Sequence, residues 1–85
     1  MTTFTYTVKD ELGIHARPAG LLAKAAKAYT STITIEKAGK TAGATKLMAL
    51  MGLGVKCGDT VTVSIEGADE AEAAKAMEEF FTTNL

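Results

Sequence analysis

Three stretches of the chain alternate between apolar and polar residues. The apolar positions are Phe4, Tyr6 and Val8, then Ile33 and Ile35, then Val61, Val63 and Ile65. A period of two with β-branched residues is typical of β-strands. Because each apolar set can share one face while threonines cover the other, the pattern predicts an antiparallel sheet with one solvated side. A turn at residues 38–39 predicts a short fourth strand at 40–43.

Two further stretches have the spacing of amphipathic helices. Their apolar positions are Leu22, Ala25, Ala26 and Tyr29 in the first, and Ala73, Ala76, Met77 and Phe80 in the second. Both sets follow the i, i+3, i+4, i+7 pattern of one helix face. Asp69 followed by Glu72 resembles a capping box, which predicts where the last helix begins.

A shorter helix is predicted between these two, from Leu47 to Leu53. Thr45 is its expected N-cap and Gly54 its expected stop. The order is then strand–helix–strand–strand–helix–strand–helix. Three helices covering the one apolar face of the sheet give a two-layer α+β domain.

Composition narrows the class of protein. Eighty-five residues predict a single domain over 1–85 with one core. Cys57, the single cysteine, excludes an internal disulfide and favours a reducing, cytoplasmic location. The chain has no signal-peptide pattern and no apolar run near the roughly 20 residues of a membrane span, so no membrane insertion is expected. A net charge of −1 argues against nucleic-acid binding.

The only histidine and the only proline lie together where the first helix is predicted to open. Pro18 is tolerated in a first turn, but it biases Arg17 away from helical angles, so His15 is either the cap or lies just before it. The positive helix end favours a neutral, nucleophilic imidazole. The turn from Ala16 to Pro18 and the guanidinium of Arg17 could hold a tetrahedral anion attached to that ring. The residues thus fit a phosphohistidine, but taken alone they favour the more common alternative, a solvated surface histidine. No second ligand lies at metal spacing, so neither a metal nor a cofactor is expected.

The segment Gly13-Ile14-His15-Ala16-Arg17-Pro18-Ala19 resembles the active-site signature of HPr, the histidine-containing phosphocarrier of the phosphoenolpyruvate-dependent phosphotransferase system. Ile14 replaces the usual leucine. The likeness covers essentially the whole chain and includes the Leu-Met-x-Leu-Met-Gly-Leu-Gly stretch at 47–54, where the family has its middle helix.

The resemblance implies an open-faced β-sandwich in which three helices cover one face of a four-stranded antiparallel sheet. It implies that His15 takes a phosphoryl group from phospho-Enzyme I through Nδ1 and passes it to the A domain of a sugar-specific Enzyme II, while Arg17 holds the phosphoryl oxygens. Such a protein is a covalent relay rather than an enzyme.

Two alternatives to this function remain. Among phosphocarriers, the alternative is a carrier of the nitrogen-related branch. Outside the phosphocarriers, it is a regulatory protein-binding module of the same fold. Paralogues of the latter kind replace the histidine, which this chain keeps. A nucleic-acid binder would show stacking aromatics where the sheet shows threonines.

A relay that docks two partners needs an exposed surface. Arg17, Gly20, Lys24 and Lys27 fall on one stripe of the first helix, although Lys27 is better explained as a solvated lysine. In the middle helix, Leu50 is expected in the core, and Met48 and Met51 in an adaptable exposed patch. Leu47 has two candidate positions, one in the core and one in the docking surface. The alternative buries all of these residues. The predicted docking set is Gly20, Lys24, Lys27, Lys46, Leu47, Met48, Met51 and Gly54.

Many HPr proteins carry a regulatory serine at the start of the middle helix, and here Lys46 stands at that position. Thr45 is adjacent, but its expected role is capping. We therefore predict that this chain lacks the serine switch and offers a fixed positive charge instead. A monomer is expected.

Overall fold

A computed structural model of the protein describes residues 1–11, 13–14 and 16–85. Within these residues the elements are β1 (Thr2–Thr7), α1 (Ala16–Ala26), β2 (Thr32–Lys37), β3 (Lys40–Gly43), α2 (Leu47–Gly52), β4 (Thr60–Glu66) and α3 (Glu70–Asn84). The strands form one antiparallel sheet in the order β1-β4-β2-β3. The predicted α+β architecture is confirmed, including the short fourth strand. No helix in the described part of the chain is both long and apolar enough to cross a membrane.

The alternating stretches form the strands as predicted. Val63 of β4 lies opposite Phe4 of β1 and Ile35 of β2, so apolar side chains meet across three strands. Val63 and Ile35 are fully buried beneath the helices. On the other face, threonines pair across the strands, as where the hydroxyls of Thr7 and Thr60 lie 2.9 Å apart. The period of two therefore separates a core face from a solvated face.

The face that α3 buries differs slightly from the predicted stripe. Its buried residues are Ala73, Ala74, Met77 and Phe81, while Ala76 and Phe80 are only partly buried. The ring of Phe81 packs edge-on against Phe4 and Tyr6, with ring centroids 6.0 and 5.5 Å away. Phe81 is therefore the fully buried aromatic residue of α3, whereas Phe80 packs at the edge of the core.

The first helix is shorter than its apolar spacing suggested. α1 ends at Ala26, and the amides of Ala28 and Tyr29 bond to carbonyls three residues back, at 3.2 Å each. Tyr29 packs against the core from this tighter turn rather than from the helix. Lys27 is exposed and directly follows the last residue of α1, and its amide still bonds to the carbonyl of Ala23 at 3.2 Å.

The capping box predicted for α3 is wrong. Asp69 is the N-cap residue, but its side chain makes no capping bond. Its carboxylate instead accepts the amides of Thr30 and Ser31, each at 2.9 Å, and the hydroxyl of Ser31. These donors, the Ser31 hydroxyl first, hold the pKa of Asp69 below its ordinary value of 3.8. Glu72 is exposed.

The cap predicted for α2 is also wrong. The N-cap is Lys46, and its side chain makes no capping bond. A cap at Thr45 would require the helix to begin one residue earlier than it does. The predicted stop is confirmed: Gly54 has a left-handed φ of +65° just beyond the helix end. Leu50 is fully buried, but Leu47 is 39% exposed, so its predicted core position is wrong. A helix of six residues makes fewer than two turns, and here one side chain, Leu50, points into the core.

Candidate functional site

The chain is anchored on both sides of position 15. Gly13 has a φ of +66°, and a Cβ at this position would lie 2.2 Å from the carbonyl oxygen of Val55. Ile14 is buried, and its amide donates to the same oxygen at 3.1 Å. α1 then begins at Ala16. Leu12 and His15 lie outside the described residues, so the predictions about the imidazole remain predictions.

The first turn of α1 offers positive charge without a competing carboxylate of its own. Arg17 is exposed and helical although it precedes Pro18, which is buried. No acidic residue occupies this turn, so the positive end of the helix is not neutralised from within it.

Beside this turn lies a hollow of about 250 Å³ between α1 and the end of α3. Its lining consists of Asp10, Arg17, Pro18, Leu21, Thr83 and Asn84. A guanidinium, a hydroxyl and a side-chain amide are donors that suit oxyanions. Asp10 is the carboxylate of this lining and adds the opposite charge to its rim. Sequence reasoning missed Thr83 and Asn84 because α3 brings them here from the far end of the chain.

The outer face of α1 carries both charge and apolar surface. Leu21 is 44% exposed, one helical turn from Arg17 and three residues before the exposed Lys24. Sequence reasoning also missed Leu21, although its i+4 spacing from Arg17 places it on the same face. Gly20 is half-buried, and a Cβ there would meet no atom within 4 Å. A partner could therefore approach the backbone closely at this point.

α2 contacts α1 and presents the larger apolar surface. Met48 is 78% exposed, and Leu47 and Met51 are each 39% exposed. We call Leu47, Met48 and Met51 the α2 patch. The exposed Lys46 lies at one end of the helix and the exposed Gly54 just beyond the other. The structure thus exposes the predicted docking positions of α2, and their binding role stays a prediction.

Comparison with known proteins identifies the family. The family model described as the PTS HPr component phosphorylation site matches residues 2–83. The chain belongs to the HPr family. It is an HPr-family phosphocarrier.

Individual relatives show a close likeness in fold. The chain is similar to HPr-C-His from Thermoanaerobacter tengcongensis, with a TM-score of 0.93 and 40% identity over 98% of this chain and 93% of that one. It is 46% identical over 70 residues to the HPr-like protein Crh of Halalkalibacterium halodurans, covering 82% of this chain and 83% of that protein. It also resembles Crh of Bacillus subtilis, described as a domain-swapped dimer, with a TM-score of 0.79 and 34% identity over 100% and 98% of the two chains.

Proposed function

We propose that this protein is a phosphoryl relay of the sugar phosphotransferase system. His15 accepts a phosphoryl group from phosphohistidine on Enzyme I and passes it to the A domain of a sugar-specific Enzyme II. The bond to the histidine nitrogen of the donor breaks as the bond to His15 forms, and the second transfer repeats this exchange. Because both steps move the group between imidazoles, the carrier contributes positioning and charge stabilisation more than acid–base chemistry.

The observation that carries the proposal is the anchored signature. His15 stands in the sequence between Ile14, whose amide bonds to Val55, and Ala16, where α1 begins. The exposed guanidinium of Arg17 supplies the charge for the phosphoryl oxygens. Ala16 and Pro18 complete the proposed phosphate-binding turn.

The test is incubation with Enzyme I and labelled phosphoenolpyruvate. We expect one acid-labile, base-stable label per chain, its transfer to a sugar-type A domain, and its loss in His15→Ala. Arg17→Ala should keep the fold and slow the transfer. An unlabelled wild-type protein, or a label retained in His15→Ala, would contradict the proposal. Transfer to a nitrogen-type A domain alone would place the carrier in the parallel branch.

The likeness to Crh supports a second candidate, a regulatory module that binds other proteins. Such a module would bind its target without passing on a phosphoryl group. Wild-type protein that binds Enzyme I but takes no label would favour this candidate. The retained His15 favours the relay.

For docking, we propose that the α2 patch and the basic side chains Arg17, Lys24 and Lys46 contact acidic partner surfaces. Methionines suit this role because they repack against different partners at little cost. We also propose that residues 1–85 act in the cytoplasm as a single-domain monomer, which leaves this surface free. Sedimentation analysis tests the monomer, and a dimer mass at micromolar concentration would contradict it.

A further inference from the structure

Lys37, at the end of β2, joins segments that are distant in the sequence. Its Nζ donates to the carbonyl oxygen of Gly54 at 2.8 Å and lies 2.9 Å from Oδ2 of Asp59. That carboxyl oxygen also accepts the amide of Lys56 at 2.9 Å. The bond from Lys37, followed by the one from Lys56, holds the pKa of Asp59 below its ordinary value of 3.8. Asp59 is therefore ionised at neutral pH, and the ion pair is present there.

Gly54 connects this lysine to α2. Its amide donates to the carbonyl oxygen of Met51 at 3.3 Å and so closes the end of the helix. Its own carbonyl is the acceptor for Lys37. A single residue thus links Lys37 to the helix that exposes the α2 patch.

The segment 54–59, which we call the bridging loop, also supports the chain before His15. The carbonyl of Val55 accepts the amide of Ile14 at 3.1 Å, and the carbonyl of Asp59 accepts that of Val8 at 2.9 Å. Gly13 packs directly on the backbone of Val55. The bridging loop therefore contacts both the end of α2 and the chain that leads to the phosphorylation signature.

We infer that Lys37 is a positioning residue of the phosphoryl relay: through Gly54 and Asp59 it holds the bridging loop, which sets the α2 patch relative to the chain leading to His15. This inference rests on the proposed function. Lys37 lies outside the signature and acts only through the loop. A partner that touches both regions at once needs them at a fixed separation, so losing the clamp should weaken docking more than the chemical step.

The test compares Lys37→Met with wild type as a substrate of Enzyme I. Methionine keeps an apolar stem and removes the donor and the charge. We expect the KM for the carrier to rise roughly threefold to tenfold while kcat changes by less than about twofold, as for lost pre-organisation. Lys37→Arg should restore much of the KM, because arginine keeps a charged donor. The amide of Gly54 should exchange faster in Lys37→Met, as measured by hydrogen exchange.

Lys40→Met is the matched control. Lys40 belongs to the same hairpin, is exposed, and makes no side-chain ion pair or hydrogen bond with any residue that the structure describes. Its KM should equal that of wild type. A wild-type KM in Lys37→Met, or an equal rise in Lys40→Met, would overturn the inference.

Two further results distinguish a failure of the proposed Lys37 clamp from a failure of the proposed relay. If Lys37→Met does not fold, Asp59→Asn decides the matter, since it weakens the ion pair while leaving the bond to Gly54. It should raise the KM less, in the same direction, and an unchanged KM would refute the clamp. A wild-type protein that takes no label from Enzyme I would refute the proposed relay instead.

Discussion

Replacing Gly13 with alanine should destabilise the fold at the point that precedes the signature. A φ of +66° costs an L-residue about 1–2 kcal/mol. The added Cβ would lie 2.2 Å from the oxygen of Val55 and 2.7 Å from Cα of Lys56, and these backbone atoms cannot turn aside as a side chain can. Moving them apart breaks the bond from Ile14 to Val55, worth about 0.5–1.5 kcal/mol. We expect Gly13→Ala to lower the free energy of unfolding by about 2–3 kcal/mol.

Urea denaturation of Gly13→Ala measures this loss directly, and the Tm should fall by roughly 10–20 °C. Gly20→Ala is the matched control, because it makes the same change within α1 where a Cβ meets nothing within 4 Å. Because alanine has a greater helix propensity than glycine, Gly20→Ala should stabilise the protein by about 0.5–1 kcal/mol. The reasoning is refuted if Gly13→Ala is as stable as wild type, or if both variants lose the same free energy.

Three further predictions concern the turn, the core and the N-cap of α3. Ala38 has a φ of +51° in the β2–β3 turn, so Ala38→Asn should raise the free energy of unfolding by about 0.5–1 kcal/mol in urea titration; no gain would contradict the strain. Leu50→Ala should cost about 2–5 kcal/mol and Met48→Ala less than about 0.5 kcal/mol, since the first is fully buried and the second 78% exposed; equal losses by thermal unfolding would contradict this packing. The pKa of Asp69 is lowered in the folded protein, chiefly by the Ser31 hydroxyl, so the ionised carboxylate stabilises the fold. This stabilisation is complete above pH 3.8 and is lost as the pH falls through the folded-state pKa. In acid titrations followed by circular dichroism, Asp69→Asn should lose part of this pH dependence, and an unchanged slope would contradict it.

The strands could be predicted from the sequence because their signal is local. Each apolar position lies two residues from the next, and the same alternation decides which face meets the helices. The side-chain N-caps of the helices could not be predicted in this way. Asp69 has the residue type and position of a cap, yet its carboxylate is occupied by Thr30 and Ser31, which the fold brings from 38 to 39 residues away. The propensity of a residue at a helix start does not reveal a competing tertiary partner.

Which side chains of α2 are exposed could be predicted from the sequence only in part. Its stretch of leucines and methionines is apolar on all sides, and periodicity over six residues cannot separate a buried face from an exposed one. The adaptability of methionine predicted that Met48 and Met51 face outward, and they do. Leu47 differs from its predicted core position. Leu50 is the one residue of α2 that is buried, so Leu47, at the first position of the helix, stays partly exposed.

The signature could be recognised from the sequence because its residues are contiguous. The residues that hold it in place are instead distant from it in the sequence. A nucleophile, a guanidinium and a predicted helix start fit within a few positions, so the sequence suggested a phosphohistidine, and the resemblance of the motif to the HPr signature favoured it. The bonds that hold this segment come from Val55, and those that hold the loop carrying Val55 come from Lys37 and Asp59. None of these residues has a type that marks it as functional, and none lies near the signature in the sequence. We therefore expect a substitution at Lys37 to impair the proposed relay while the whole of the recognisable motif remains intact.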